Sequence, residues 1–165
     1  MKKSYIVIPT YNDWKSLNKL LQVLDKYQKT KALNTNILII NDCSSEELKI
    51  QKKKFKNFNN LNIINLKRNV GSQKAIFTGL KYLLKKTKKK NLEATFSVLD
   101  SDGEDDPSKL NQLVSLSIKN KNCFIFANRA KRTENFVLKI FNRIRLVLTY
   151  ILTGYYINFG NFSAF

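Results

Sequence analysis

The chain has 165 residues, 43% of them hydrophobic, which suits one domain with a real core and argues against global disorder. Its formal net charge of +18 gives a surface that attracts polyanions, whether nucleic acid, anionic lipid or phosphorylated substrates, although a Lys-rich solvated surface explains the charge equally well. The absence of histidine excludes a Ser-His-Asp or Cys-His nucleophile and a His-ligated zinc within the chain.

The two cysteines, Cys43 and Cys123, form no CxxC pair. They read as small buried or half-buried residues in a reducing cytosol rather than as a disulfide framework. The N-terminal apolar run is too short for a signal-peptide core, and no stretch reaches the roughly 18 apolar residues of a membrane-spanning helix.

In chain order, residues 5–8 (YIVI) are a buried-type strand that Pro9 is expected to stop. Trp14, Leu17, Leu20, Leu21 and Leu24 follow helical spacing, with Asn12 or Asp13 as N-cap. Residues 37–40 (ILII) are a second strand, ended by the polar run 41–45. Within 46–60, Leu48, Phe55 and Phe58 suggest a short helix, and 62–66 is a third strand. A helix follows Gly71 through Ala75, Ile76, Gly79, Leu80, Leu83 and Leu84, and the basic run 85–90 reads as its solvated end and a loop. Residues 95–99 are a fourth strand leading into the acidic loop 100–106. Asp106-Pro107 then opens a helix carrying Leu110, Leu113 and Val114. Residues 123–127 are a fifth strand, and 133–153 a long helix.

Alternating strands and helices predict an α/β fold, three layers with a mainly parallel sheet and helices on both faces. Ligands of such sheets bind beyond the carboxyl ends of the strands. Here those ends carry the polar clusters 10–13, 41–42, 68–71 and 100–106, which predicts one composite site.

Asp100 and Asp102 are two apart, so extended backbone would point both to one side, with Glu104 one step further as a third candidate. Carboxylates brought together call for a compensating cation, and hard oxygen ligands suit Mg²⁺ or Mn²⁺. No GxGxxG or GxxxxGK[ST] occurs, which disfavours dinucleotide and P-loop readings. Asp42 fits either a ligand acceptor for a base N–H or ribose hydroxyl, or a turn residue. Asp105 and Asp106 are candidate general bases, Asp106 being equally placed to cap a helix.

Several segments, in order, resemble family 2 glycosyltransferases of the GT-A fold. They are Val7-Ile8-Pro9-Thr10-Tyr11-Asn12-Asp13, Ile39-Ile40-Asn41-Asp42-Cys43-Ser44-Ser45, Arg68-Asn69-Val70-Gly71 with Ala75 and Gly79, and the run 98–107 around Asp100-Ser101-Asp102. Asn128-Arg129, Thr153-Gly154 and Phe159-Gly160-Asn161-Phe162-Ser163 are similar to the polyprenyl-phosphate branch that includes dolichol-phosphate mannosyltransferase-like enzymes.

The resemblance implies an inverting, metal-dependent hexosyl transfer from a nucleoside-diphosphate sugar to an acceptor such as a polyprenyl phosphate or a cell-envelope glycan. It implies that Pro9, Tyr11, Asp13 and Asp42 hold the nucleoside, with Arg68, Asn69 and Gly71 in the neighbouring element. It further implies that Asp100, Asp102 and Glu104 hold Mg²⁺ or Mn²⁺, and that Arg129 meets a phosphate. Asn41 stands where the family has an Asp, and Cys43 where it has Gly.

The apolar segment at Phe165 and the missing acceptor side of the family domain suggest a partial GT-A domain truncated at its C-terminus. Within it, 133–157 is an amphipathic helix suited to an anionic membrane at the cytoplasmic face. The rival readings are a basic nucleic-acid-binding protein, disfavoured because it leaves the acidic segment unexplained, and an inactive remnant.

Overall fold

The structure, a computed structural model, describes residues 3–31, 35–47, 50–120, 123–127, 136–154 and 160–165. Its centre is a mixed six-stranded sheet in the order β3-β2-β1-β4-β6-β5. The strands are β1 (Lys3–Thr10), β2 (Thr35–Asn41), β3 (Asn60–Asn65), β4 (Ala94–Val98), β5 (Ile125–Phe126) and β6 (Ser163–Ala164). β1 pairs in parallel with β2 and β4, β2 with β3, and β6 runs antiparallel between β4 and β5. The predicted α/β architecture is therefore observed.

The apolar runs alternate between two faces. Ile6 and Ile8 of β1 and Ile37 and Ile39 of β2 pack against α1 (Trp14–Lys31) and α3 (Leu110–Lys119). Tyr5, Val7, Leu38 and Ile40 pack on the other face against Ala75 and Leu83 of α2 (Ser72–Lys89). Burial on both faces is why these strands read as continuous hydrophobic runs.

β1 continues through Pro9, contrary to the expected stop. Val7 O accepts from Leu99 N while Thr10 O accepts from Asp42 N, so odd positions of β1 face β4 and even ones face β2. The β4 register ends at Val7↔Val98, so the donor that proline lacks falls where no partner strand remains.

Other boundaries also moved. The short helix expected in 46–60 is only a 3₁₀ turn at Lys52–Lys54 among the described residues. Asn57 is instead tied to Asp25, through Asn57 N to Asp25 Oδ1 at 2.9 Å, and Asn59 N donates to Thr35 O at 2.9 Å, which draws the chain out towards β3. The basic run 85–90 is helical as far as Lys89, because Leu83 and Thr87 keep one face buried while the lysines stay solvated. That helix ends before Asn91, whose φ of 48° is left-handed. β6 was not foreseen; it leaves Phe162 and Ala164 buried, and Phe165 bonded both ways to the Phe96 backbone. The apolar residues of this segment therefore do have partners.

α4 (Phe136–Thr153) accounts for the described part of the expected long helix, residues 133–135 and 155–157 lying outside the described residues. Its side chains at Phe141, Ile144, Leu148 and Ile151 are exposed. No helix among the described residues is long and apolar enough to cross a membrane.

Gly79 is where α2 comes closest to the sheet: a Cβ there would lie 2.9 Å from Val7 Cγ1 and 3.0 Å from Ile40 Cδ1. Val7 is stiff and fully buried, so it cannot yield. Gly79→Val is expected to lower stability by about 1–3 kcal/mol in urea unfolding, through overpacking. An unchanged midpoint would show that α2 can slide.

Candidate active site

A cavity of ≈ 270 Å³ opens at the carboxyl ends of β1, β2 and β4. This is the crevice of the sheet: β2 and β3 follow on one side of β1, while β4 lies on the other. Pro9, Thr10, Tyr11, Asp42, Ser72, Asp100, Ser101, Asp102 and Asn161 line it.

Asp42 is 3% exposed and forms its inner wall. One carboxylate oxygen accepts from Val70 N at 2.8 Å and the other from Gly71 N at 2.8 Å. The carboxylate thus fastens the 68–71 loop and with it the start of α2, so that Ser72 reaches the cavity. Gly71, with φ 86°, occupies the N-cap. An N-terminal turn of helix carries partial positive charge, favourable to an anion beside it.

Asn41, in place of the family's acid, serves as a neutral bridge. Its Nδ2 donates to Asn65 Oδ1 at 2.9 Å and its Oδ1 accepts from Ser44 N at 2.9 Å. The turn also holds to the loop after β1: Asn12 N donates to Ser44 Oγ at 2.9 Å, and Ser45 N to Asn12 Oδ1 at 2.8 Å. Asn12 and Cys43 both sit in the left-handed region, with φ of 52° and 62°. Asn tolerates this conformation, whereas Cys carries its ordinary steric cost, so the family's glycine at 43 has a backbone reason. Both cysteines are exposed, not buried or half-buried as expected.

The acidic loop departs from the alternation argument. β4 ends at Val98, and residues 101–103 form a turn with Gly103 at φ 81°. Asp100 and Asp102 still face one cavity, but through the turn, and Glu104 does not line it. Glu104 N instead donates to Asp102 Oδ1 at 2.9 Å. Asp105 is buried and its Oδ2 accepts from Asp100 N at 3.2 Å, which braces the loop. Asp106 Oδ1 accepts from Ser108 N at 2.9 Å, capping the 3₁₀ turn Pro107–Lys109. The hydrogen bonds from the Ser108 side chain and backbone hold its carboxyl below the ordinary carboxylate range.

Asp13 caps α1 by accepting from Ser16 N at 3.0 Å and does not line the cavity. Neither do Arg68, Asn69 and Gly71. Arg129 lies outside the described residues. Sequence reasoning did not single out Thr10, whose buried Oγ1 has no hydrogen-bond partner, nor Ser72 or Asn161 as site residues. Asn161 stands 61 positions from Asp100, and only the β6 register brings it there.

No group of three or more His, Cys, Asp or Glu side chains able to hold a metal ion occurs among the described residues. Two carboxylates opening on one cavity nevertheless fit a Mg²⁺-like ion. Such ions take one or two carboxylates and complete their shell with water and substrate phosphates.

Replacing Cys43 by glycine is expected to raise stability by about 0.5–1 kcal/mol in denaturant titration, because relief of the left-handed cost exceeds the added chain entropy. A loss of stability would show that the Cys43 side chain makes a contact worth more than its backbone cost.

The family model described as glycosyl transferase family 2 matches residues 5–162. No curated protein matches the chain. Among solved structures, the S. aureus TarS 1-349 crystal structure is 22% identical, with a TM-score of 0.55, over 81% of this chain and 38% of that one. The same fragment in complex with UDP-GlcNAc gives a TM-score of 0.57 at 22% identity, over 81% and 37%. The longer TarS structure gives 0.58 at 22%, over 81% of this chain and 23% of that one. The likeness to TarS is one of fold, and the chain spans less than two fifths of either TarS chain. The family match over residues 5–162, in keeping with the sequence segments that resemble the family, shows that the chain belongs to glycosyl transferase family 2.

Proposed function

We propose that the chain carries the donor side of a metal-dependent, inverting glycosyltransferase that moves a hexosyl group from a nucleoside diphosphate to an acceptor. The observation that carries this reading is the single cavity joining Asp42, Asp100, Asp102 and the start of α2. TarS structures at the same fold contain UDP or UDP-GlcNAc, which supports a nucleoside-diphosphate sugar as donor.

In this reading Tyr11, half exposed at the cavity, and Pro9 offer an apolar wall to the base. Asp42 acts through the loop it fastens and leaves its remaining lone pairs to the nucleoside. Asp100 and Asp102 face the diphosphate. Asp100 and Asp102 would hold a divalent ion, whose charge would offset the charge that builds on the leaving group. Ser72 and the α2 N-terminus add partial positive charge on the same side. The anomeric centre gains oxocarbenium character as its bond to the diphosphate oxygen breaks and the nucleoside diphosphate leaves, while the acceptor oxygen bonds to the opposite face. Asp105 is buried and braces the loop, and Asp106 is a cap with weakened basicity, so neither is well placed as a general base. An acceptor phosphate, already ionised, would need none. That agrees with the polyprenyl-phosphate branch suggested by Phe159-Gly160-Asn161-Phe162-Ser163.

The acceptor side is proposed to lie at an anionic membrane on the cytoplasmic face. α4 exposes Phe141, Ile144, Leu148 and Ile151 beside Arg143 and Arg145, the pattern of an interfacial helix. The net charge of +18 adds attraction to acidic lipid.

UDP and GDP binding should depend on Mn²⁺, and Asp102→Ala should weaken it by more than about ten-fold in calorimetry while Asp106→Asn, which keeps the cap, should not. Salt-sensitive nucleic-acid binding indifferent to Asp102→Ala would overturn the enzyme reading. The chain should cosediment with phosphatidylglycerol vesicles but not with phosphatidylcholine ones. Replacing Phe141, Ile144 and Leu148 by Ser should abolish cosedimentation, and retention would remove α4 from the interface.

A further inference from the structure

We propose that Asn161 sets which cations the Asp100–Asp102 pair accepts, by closing the face of Asp100 through which an ion would take both carboxylate oxygens. The inference rests on the reading that these two carboxylates share a divalent ion with the donor.

Asn161 Nδ2 lies 3.0 Å from Asp100 Oδ1 and 3.2 Å from Oδ2. A nitrogen nearly equidistant from both oxygens stands over the gap between them. An ion bound to both oxygens would have to occupy that same space. An ion bound to one oxygen from its outer side leaves the amide in place.

The amide is held in this orientation by chemistry at both ends. A carboxylate only accepts, so Asn161 must turn its NH₂ group towards Asp100. Its Oδ1 then faces Gln73, whose Nε2 donates to it at 2.8 Å. The backbone is fixed as well. Phe162 is buried, Phe162 O accepts from Ala127 N at 2.9 Å, and Ser163 pairs with Val98 of β4. Ser163 Oγ also donates to Asn161 O at 3.0 Å. Asn161 is therefore a specificity-determining residue anchored from α2 and β6, on elements that sequence separates widely from the acidic loop.

The consequence differs between cations. Ca²⁺ takes six to eight oxygens in flexible geometry and often binds a carboxylate through both. Mg²⁺ is smaller and octahedral, and keeps its waters. A seat limited to one oxygen of Asp100 suits Mg²⁺ and Mn²⁺ and penalises Ca²⁺.

The test is metal affinity rather than turnover. Mn²⁺ is titrated into the full chain with UDP present, its binding read by electron paramagnetic resonance, and Mg²⁺ and Ca²⁺ are then used as competitors. The wild type should bind Mn²⁺ and Ca²⁺ should compete poorly for it, and Asp100→Ala should remove the binding. Asn161→Ala should shift the Ca²⁺-to-Mg²⁺ preference towards Ca²⁺ by about ten-fold, the scale of groups that orient a metal ligand. Gln73→Ala, at an exposed helix position, should shift it in the same direction by less, and it carries the test if Asn161→Ala does not fold. An unchanged preference in the folded variants overturns the role of Asn161 alone. Absence of any Asp100-dependent Mn²⁺ binding in the wild type overturns the metal reading and this inference with it.

Discussion

The Asp42 carboxylate, buried at the end of β2, joins the two halves of the site. Its two oxygens take the Val70 and Gly71 amides, so one side chain ties the loop that opens α2 to the end of β2. Burying a carboxylate is costly unless its charge is met by hydrogen bonds, and two backbone donors at 2.8 Å meet that need. The same bonds satisfy donors of a loop that no strand pairs, so the loop and the acid stabilise each other. A residue read as a nucleoside ligand is thereby also the frame for the place where the diphosphate would lie.

The second frame is the segment that returns to the sheet as β6. It separates β5 from β4, pairs antiparallel with both, and delivers Asn161 to Asp100. The crevice is thus closed by a piece of chain remote in sequence from its other walls. In the proposed metal reading, Asn161 would be an outer partner that helps to orient a ligand. The turn at 101–103 matters in the same way, because it places Asp102 beside Asp100 and leaves Glu104 outside the cavity.

The charge and the apolar helix belong to a different level of organisation. Most of the lysines lie on solvated surfaces, as along α2, where Leu83 and Thr87 face inward and Lys85, Lys88 and Lys89 outward. α4 has a clear hydrophobic period yet leaves its apolar side chains exposed among the described residues. Within this chain α1 and α3 cover one face of the sheet and α2 the other, and neither core cluster among the described residues includes a residue of α4.

The sequence by itself determined the parallel α/β arrangement, because short apolar runs such as 37–40, rich in β-branched residues and bounded by polar turns, read as strands buried on both faces, and the spacing from Trp14 to Leu24 reads as an amphipathic helix. It also placed the polar clusters at strand ends, and so located the crevice, while the family resemblance named five residues that line it: Pro9, Tyr11, Asp42, Asp100 and Asp102. What it left open were matters of direction and long-range register. Pro9 stays in its strand because of which neighbour its nitrogen faces, and a single sequence carries no such information. The caps at Asp13 and Asp106 were legible in the sequence, but Asp105 is an acid of the same kind as Asp100, and only backbone geometry turned it into a brace. β6 is two residues long, below any periodic signal, so Asn161 and its contact with Asp100 exist only once the sheet has assembled.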